Sequence, residues 1–279
     1  MDYIELTINL TPRNPWAEIL IAELADLGFE SFIETEQGIQ AYAPQTIGNV
    51  AALLEETSMN NNEALQAEFE TKVIPHQNWN AQWEADFEPV VVDERLVILA
   101  PFHDQYAFSN DLKIIIQPQM SFGTGHHQTT FLMSQYLLDL PQMPKKVLDM
   151  GTGTGVLAIL AEKRGADDIL AVDIESWSVE NTVENAIRNH CKHIKALEGD
   201  IDAIVGVKFG LILANINKNV LKAHLPHYAN LLENKGLLYL SGFFTSDVEE
   251  LTACAAEVRL KLEEVREKET WASMKLMKC

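Results

Sequence analysis

One stretch constrains the fold more than any other. Residues 147–150 (VLDM) form an apolar run that leads into three alternate glycines, Gly151, Gly153 and Gly155, and then into the apolar residues 156–159 (VLAI). A strand, a tight glycine turn and a helix, in that order, open a parallel α/β sheet, because the helix has to turn back close against the strand. The start of such a helix leaves free N–H groups beside the turn. Asp173 closes the next apolar run 22 residues after Gly151. A carboxylate there can accept both hydroxyl protons of a ribose, so a nucleoside-bearing ligand is expected.

The glycine spacing narrows that ligand. A dinucleotide loop reads G-x-G-x-x-G, whereas this one reads G-x-G-x-G and carries an acid, Asp149, two residues ahead of the first glycine. The form resembles the loop of Rossmann-like methyltransferases that use S-adenosylmethionine. The resemblance implies a loop beside methionine and ribose, with Gly151, Gly153 and Asp149 on the cofactor side. An NAD-dependent oxidoreductase is the distant alternative.

The rest of the chain is read around this unit. Strands are expected at 96–100, 113–116, 145–150, 168–173, 209–214, 236–241 and 271–277, and helices at about 127–140, 156–165, 175–190, 217–233 and 245–258. Apolar strands alternating with helices predict a doubly wound, mainly parallel sheet over 93–279. Residues 1–75 differ. Their order is strand (3–10), helix (15–27), hairpin (29–35 and 38–43), helix (46–56) and strand (65–74), the split βαβ pattern of a ferredoxin-like α+β domain. Residues 76–92, with Trp79, Trp83 and Phe87 one helical turn apart, are expected to be an interdomain linker.

Two further elements carry chemistry. Residues 120–130 (MSFGTGHHQTT) place two glycines and several hydroxyls ahead of an apolar helix, a clamp suited to a polar ligand. No lysine follows the second glycine, so it is not a P-loop. The pair His126-His127 lacks a third ligand at metal-binding spacing, so no metal is expected. Residues 209–216 (FGLILANI) end a buried strand in Asn215. At the carboxyl end of such a strand an asparagine carbonyl can accept a hydrogen bond from an attacking nitrogen and aim its lone pair at a methyl carbon. The aromatic platform that holds a flipped base in DNA amino-methyltransferases is missing, since Ile216-Asn217 follows.

Charge bounds the partners. The chain of 279 residues has a formal net charge of −20, which argues against reading duplex DNA, because phosphate affinity rests on Lys and Arg. Residues 1–75 hold 13 acidic residues against Arg13 and Lys72, a net of −11. That quarter suits a basic partner. The opening MDYIEL has no signal-peptide features, no apolar run reaches the roughly 18 residues of a membrane span, and Cys191, Cys254 and Cys279 form no paired framework. A cytoplasmic, monomeric protein is expected.

Taken together, NWNAQWEADFEP, MSFGTGHHQTT, VLDMGTGTGVLAI, AVDIES, LILANI and LYLSGF closely resemble the bacterial ribosomal protein L11 methyltransferases. The resemblance is strong over 76–279, and rests on topology and position before that. It implies trimethylation of lysine side chains and of the N-terminal α-amine of that large-subunit protein. It also implies that the N-terminal domain grips the substrate and that the linker swings the catalytic domain between amines. Cofactor contacts then fall on Thr130, Gly151, Asp173 and Asn215, with Asn215 also catalytic. The chain departs from the family around 117–128, where Gln117-Pro118-Gln119-Met120-Ser121, His126 and Gln128 replace the usual residues, and at Thr152, where cysteine is common. A methyltransferase acting on a small molecule or RNA remains the alternative.

Overall fold

The computed structural model describes residues 2–60, 62, 64–75, 87–103, 111–119, 122, 123 and 125–279. It divides into two compact units, Met1–Asp86 and Phe87–Cys279.

The first unit runs β1 (Tyr3–Thr11), α1 (Trp16–Asp26), β2 (Ser31–Glu34), β3 (Gly38–Pro44), α2 (Val50–Leu54) and β4 (Gln66–Ile74). The strands form one antiparallel sheet in the order β2-β3-β1-β4. Alternation in β1 buries Ile4, Leu6, Ile8 and Leu10 on one face, where they meet Leu20 and Leu24 of α1. Helix and hairpin, then helix and strand, give the split βαβ arrangement expected of this segment.

The second unit carries a seven-stranded sheet. Its strands are β8 (Lys146–Met150), β9 (Asp168–Asp173), β10 (Ile194–Glu198), β11 (Phe209–Asn215), β12 (Leu232–Phe244), β13 (Leu260–Lys268) and β14 (Trp271–Lys278). They lie in the order β10-β9-β8-β11-β12-β14-β13. The first five are mutually parallel, and β14 runs antiparallel to both β12 and β13. Alternate residues feed two separate cores. Val147, Leu211 and Leu213 pack on one face with α3 (Gln128–Asp139) and α4 (Val156–Lys163). Leu148, Ile212 and Ala214 pack on the other with α6 (Lys218–Leu231) and α7 (Val248–Glu257). Both faces are therefore dry, as a parallel sheet requires. The remaining helix, α5 (Ser176–Arg188), connects β9 to β10. Among the described residues no helix is long and apolar enough to cross a membrane.

Two expectations need correction. The apolar runs at 96–100 and 113–116 do not join the main sheet. They form β6 (Leu96–Leu99) and β7 (Leu112–Ile115) of a separate three-stranded sheet with β5 (Val90–Val92). Leu96, Ile98 and Ile114 are buried in the core shared with α3 and α4, and an apolar run reports burial without saying which sheet the strand joins. Conversely, β10 and β13 were not expected at all. Both are edge strands, and their sequences, IKALE and LKLEEVREK, mix charged and apolar residues with only Leu260 buried, so neither reads as a continuous apolar run, and charge at an edge guards against edge-to-edge pairing. Of the stretch 76–92, Trp79 and Trp83 lie outside the described residues, while 87–92 belong to the second unit and include β5.

Candidate active site

The strand order reverses direction between β8 and β11, and a cleft of about 550 Å³ opens at the carboxyl ends of the strands there. Gly151, Gly153, Asp173 and Asn215 all line it. Along the rim they follow the sheet order: Asn215 ends β11, Gly151 follows β8, and Asp173 ends β9.

The glycine loop is held from every side. Gly151 and Thr152 donate their N–H groups to the Val172 carbonyl at 2.8 and 3.0 Å. Gly153 N–H donates to Asp173 Oδ2 at 2.9 Å, and the Thr182 hydroxyl donates to the Gly153 carbonyl at 3.0 Å. Two of the glycines are sterically obligatory. At Gly151 (φ 74°) a Cβ would come within 2.2 Å of Ile216 Cγ2, and at Gly153 (φ 56°) within 2.1 Å of the Phe122 carbonyl oxygen. The second glycine segment docks directly on this loop. Thr154 N–H donates to the Phe122 carbonyl at 2.9 Å, and the Thr154 hydroxyl donates to the Gly123 carbonyl at 2.6 Å. Met120, Ser121 and Thr124 lie outside the described residues.

Asp149 is buried behind the loop and does not line the cleft. Its Oδ2 accepts from the Thr152 hydroxyl at 2.8 Å and from Ala158 N–H, in the first turn of α4, at 3.2 Å. Burial, with a smaller push from the Asp173 carboxylate, raises its pKa to about 7. The group anchors the turn to the helix. Asp173 is also buried. Besides Gly153 it accepts Glu175 N–H on Oδ1 at 3.1 Å, so each oxygen keeps a lone pair for a diol.

Asn215 is aimed by a neighbour. Its Nδ2 donates to Thr130 Oγ1 at 3.5 Å, and Thr130 is itself fully buried in the first turn of α3. His127 caps that helix, its Nδ1 lying 2.8 Å from Thr129 Oγ1. With the amide nitrogen so engaged, Asn215 Oδ1 is left buried and without a hydrogen-bond partner among the described residues. Such a group is costly unless something else supplies a donor.

Several cleft residues were not foreseen. Trp177, Asp200, His224, Gly242 and Trp271 also line it. Trp271 belongs to a run of rings. It stands 4.5 Å from His127 and 4.4 Å from Phe244, and His127 stands 5.1 Å from Phe122, centroid to centroid. Burial lowers the His127 pKa, which keeps this wall uncharged at neutral pH. Apart from Gly242, which lies in the LYLSGF motif, nothing in the local sequence marked these positions, since each gains its place from the end of a strand or the side of a helix.

The sheet order, with one antiparallel strand inserted beside the fifth parallel one, and the G-x-G-x-G loop with an acid at the end of the next strand define a class I methyltransferase using S-adenosylmethionine. The residues present suit that cofactor: Gly151 and Gly153 line the cleft with bare backbone, Asp173 can take the ribose, and Asn215 has an acceptor with no partner among the described residues. Residues 17–278 match the profile of the family described as ribosomal protein L11 methyltransferase (PrmA). The protein of that name from Porphyromonas gingivalis is 41% identical over 286 residues, covering 99% of this chain and 97% of its own. The one from Phocaeicola vulgatus is 39% identical over 280 residues and 99% of each chain. The crystal structure of the ribosomal protein L11 methylase from Lactobacillus delbrueckii subsp. bulgaricus superposes with a TM-score of 0.64 at 29% identity, covering 69% of this chain and 100% of that one. The chain belongs to the ribosomal protein L11 methyltransferase family.

Proposed function

We propose that the chain methylates amines of ribosomal protein L11, namely lysine side chains and the N-terminal α-amine, with residues 1–75 holding the protein substrate. The observation that carries this reading is the buried, unpartnered Oδ1 of Asn215 beside an aromatic wall. The bound cofactor supplies an activated sulfonium methyl group. Asn215 Oδ1 accepts an N–H of the neutral amine, which leaves the nitrogen lone pair to point at the methyl carbon. Only about one lysine in 10³ is neutral at pH 7.4. The uncharged wall of Phe122, His127 and Trp271 favours the neutral form by keeping water away. The same wall suits the product, because a methylated ammonium loses hydrogen-bond donors with each methyl and keeps its attraction to ring faces. Asp149 is a poor general base here, since it is behind the loop with its Oδ2 engaged by two donors. Rate enhancement then comes mainly from alignment. The acidic first unit supports capture of a lysine-rich partner.

The test is mass spectrometry of purified L11 after incubation with the enzyme and labelled S-adenosylmethionine. Mass gains in methyl steps on amine-bearing residues are expected. The Asn215→Ala variant should turn over about 10²-fold more slowly while binding S-adenosylhomocysteine within a few-fold of wild type. L11 left unmodified by the wild-type enzyme refutes the substrate, and full turnover by Asn215→Ala refutes the role of Asn215.

A further inference from the structure

Two consecutive carbonyls of the glycine loop are held by side chains of α5. The Thr182 hydroxyl takes that of Gly153, and Asn185, one turn further along, donates Nδ2 to the Thr154 carbonyl at 3.0 Å. Asn185 is fully buried and does not line the cleft. The rest of its amide is committed as well. Nδ2 also donates to Asn181 Oδ1 at 2.8 Å, while Oδ1 accepts from Gln117 N–H at 2.9 Å and from Arg188 Nη1 at 2.7 Å. Two donors and two lone pairs are the full capacity of an amide. Main-chain groups on both sides fix which way it points, since the Gln117 N–H needs the oxygen and the Thr154 carbonyl needs the nitrogen.

Gln117 lies two residues beyond β7, at the start of the segment that runs to Phe122 and Gly123. The far end of that segment is held by Thr154, whose N–H and hydroxyl donate to the Phe122 and Gly123 carbonyls. The segment is thus tied to the glycine loop at 117 through Asn185 and at 122–123 directly. All three polar groups of Thr154 serve this circuit. Both parties to it reach the cleft, because Phe122, Gly151 and Gly153 line it. A buried hydrogen-bond circuit is rigid when complete and costly when one member is lost. Asn189, one turn beyond Asn185, offers a contrast. Its side chain pairs with the N–H and the carbonyl of Ile115 and makes no hydrogen bond to the glycine loop.

We propose that Asn185 is a positioning residue for cofactor binding: it sets the segment leaving β7 against the glycine loop, so that Phe122 and the glycine backbone stand in a fixed relation around the cleft before the cofactor arrives. The proposal concerns the cofactor and holds whichever amine is the acceptor.

The experiment compares Asn185→Asp with Asn189→Asp in the full chain, with S-adenosylhomocysteine binding measured by calorimetry. Each change keeps the shape and turns a donor facing a carbonyl into an acceptor. Asn185→Asp should raise the Kd about tenfold, the value of one lost buried hydrogen bond, with kcat at saturating S-adenosylmethionine and the KM for the protein substrate within threefold of wild type. Asn189→Asp should lower the melting temperature by a similar amount and leave the Kd within twofold. Equal weakening of binding by the two variants, or a Kd that Asn185→Asp leaves unchanged, overturns the proposal. A second measurement uses the wild type alone, so it stands even where Asn185→Asp does not fold. On addition of S-adenosylhomocysteine, hydrogen exchange at the amides of Gln117 and Thr154 should slow together by several-fold. A Gln117 amide indifferent to the ligand overturns the proposal in the same way.

Discussion

Asp149 is a carboxyl group placed where charge is disfavoured, and the direction of its shift has a consequence for stability. Its folded pKa of about 7 lies above the ordinary 3.8. The folded state therefore holds a proton that the unfolded state has released across that interval. This group's contribution is fully present below pH 4 and is lost as pH rises towards 7. Asp149→Asn removes the titration while keeping an oxygen acceptor for Thr152 or Ala158. Relative to wild type, the variant should gain stability as pH rises from 4 to 7, by on the order of a few kcal/mol, read as the difference between the two melting curves at each pH. A constant difference would show that the proton is not held. At this scale much of the site was legible. Gly151, Gly153 and Asp173 stand at spacings that point to a nucleoside turn, and Asn215 stands out as the polar end of an apolar run. Asp200 was not legible, because it is identified by the strand before it, and that strand is a polar edge. His224 was hidden for another reason: on an amphipathic helix, one histidine facing inward looks like any other buried residue.

Between elements, the two glycine segments behave as one. The loop after β8 and the segment before α3 are about 30 residues apart in sequence, yet Thr154 joins them through both its backbone and its hydroxyl. Thr154→Val keeps the shape and deletes the 2.6 Å bond to the Gly123 carbonyl. A loss of roughly 1–2 kcal/mol is expected, seen as a cofactor KM raised several-fold with kcat within twofold. A fall in kcat with KM unchanged would place the second segment in the chemical step instead. The helices and inner strands could be read from periodicity because each buries a continuous apolar face. The separate sheet of β5, β6 and β7 could not, since hydrophobicity reports depth and carries no label for neighbours. Here the register is set partly by side chains. Asn189 pairs with both backbone groups of Ile115, its Oδ1 accepting the N–H at 2.9 Å and its Nδ2 donating to the carbonyl at 2.6 Å, standing in for an adjacent strand.

For the whole molecule, charge is the property that composition made visible and folding gave a place. The first 75 residues hold a net of −11 of the chain's −20, and the residues that line the cleft all belong to the second unit. Binding of full-length enzyme to L11 should weaken by about tenfold or more between 50 and 300 mM KCl, because exposed charges are screened over roughly 8 Å near physiological ionic strength. Affinity that ignores salt would reduce the acidity to a solubility device. A different division of labour follows from the reversed direction of β14. Parallel strands present only their carboxyl ends to the cleft, whereas an antiparallel strand presents its first residue, and that residue is Trp271, opposite Phe244 at the end of β12. The glycine loop and its acid thus stand on the parallel strands, while the aromatic side of the cleft draws in part on the β13–β14 hairpin. On the proposed function, substitutions at Trp271 should alter which amine is accepted and leave cofactor affinity within a few-fold of wild type.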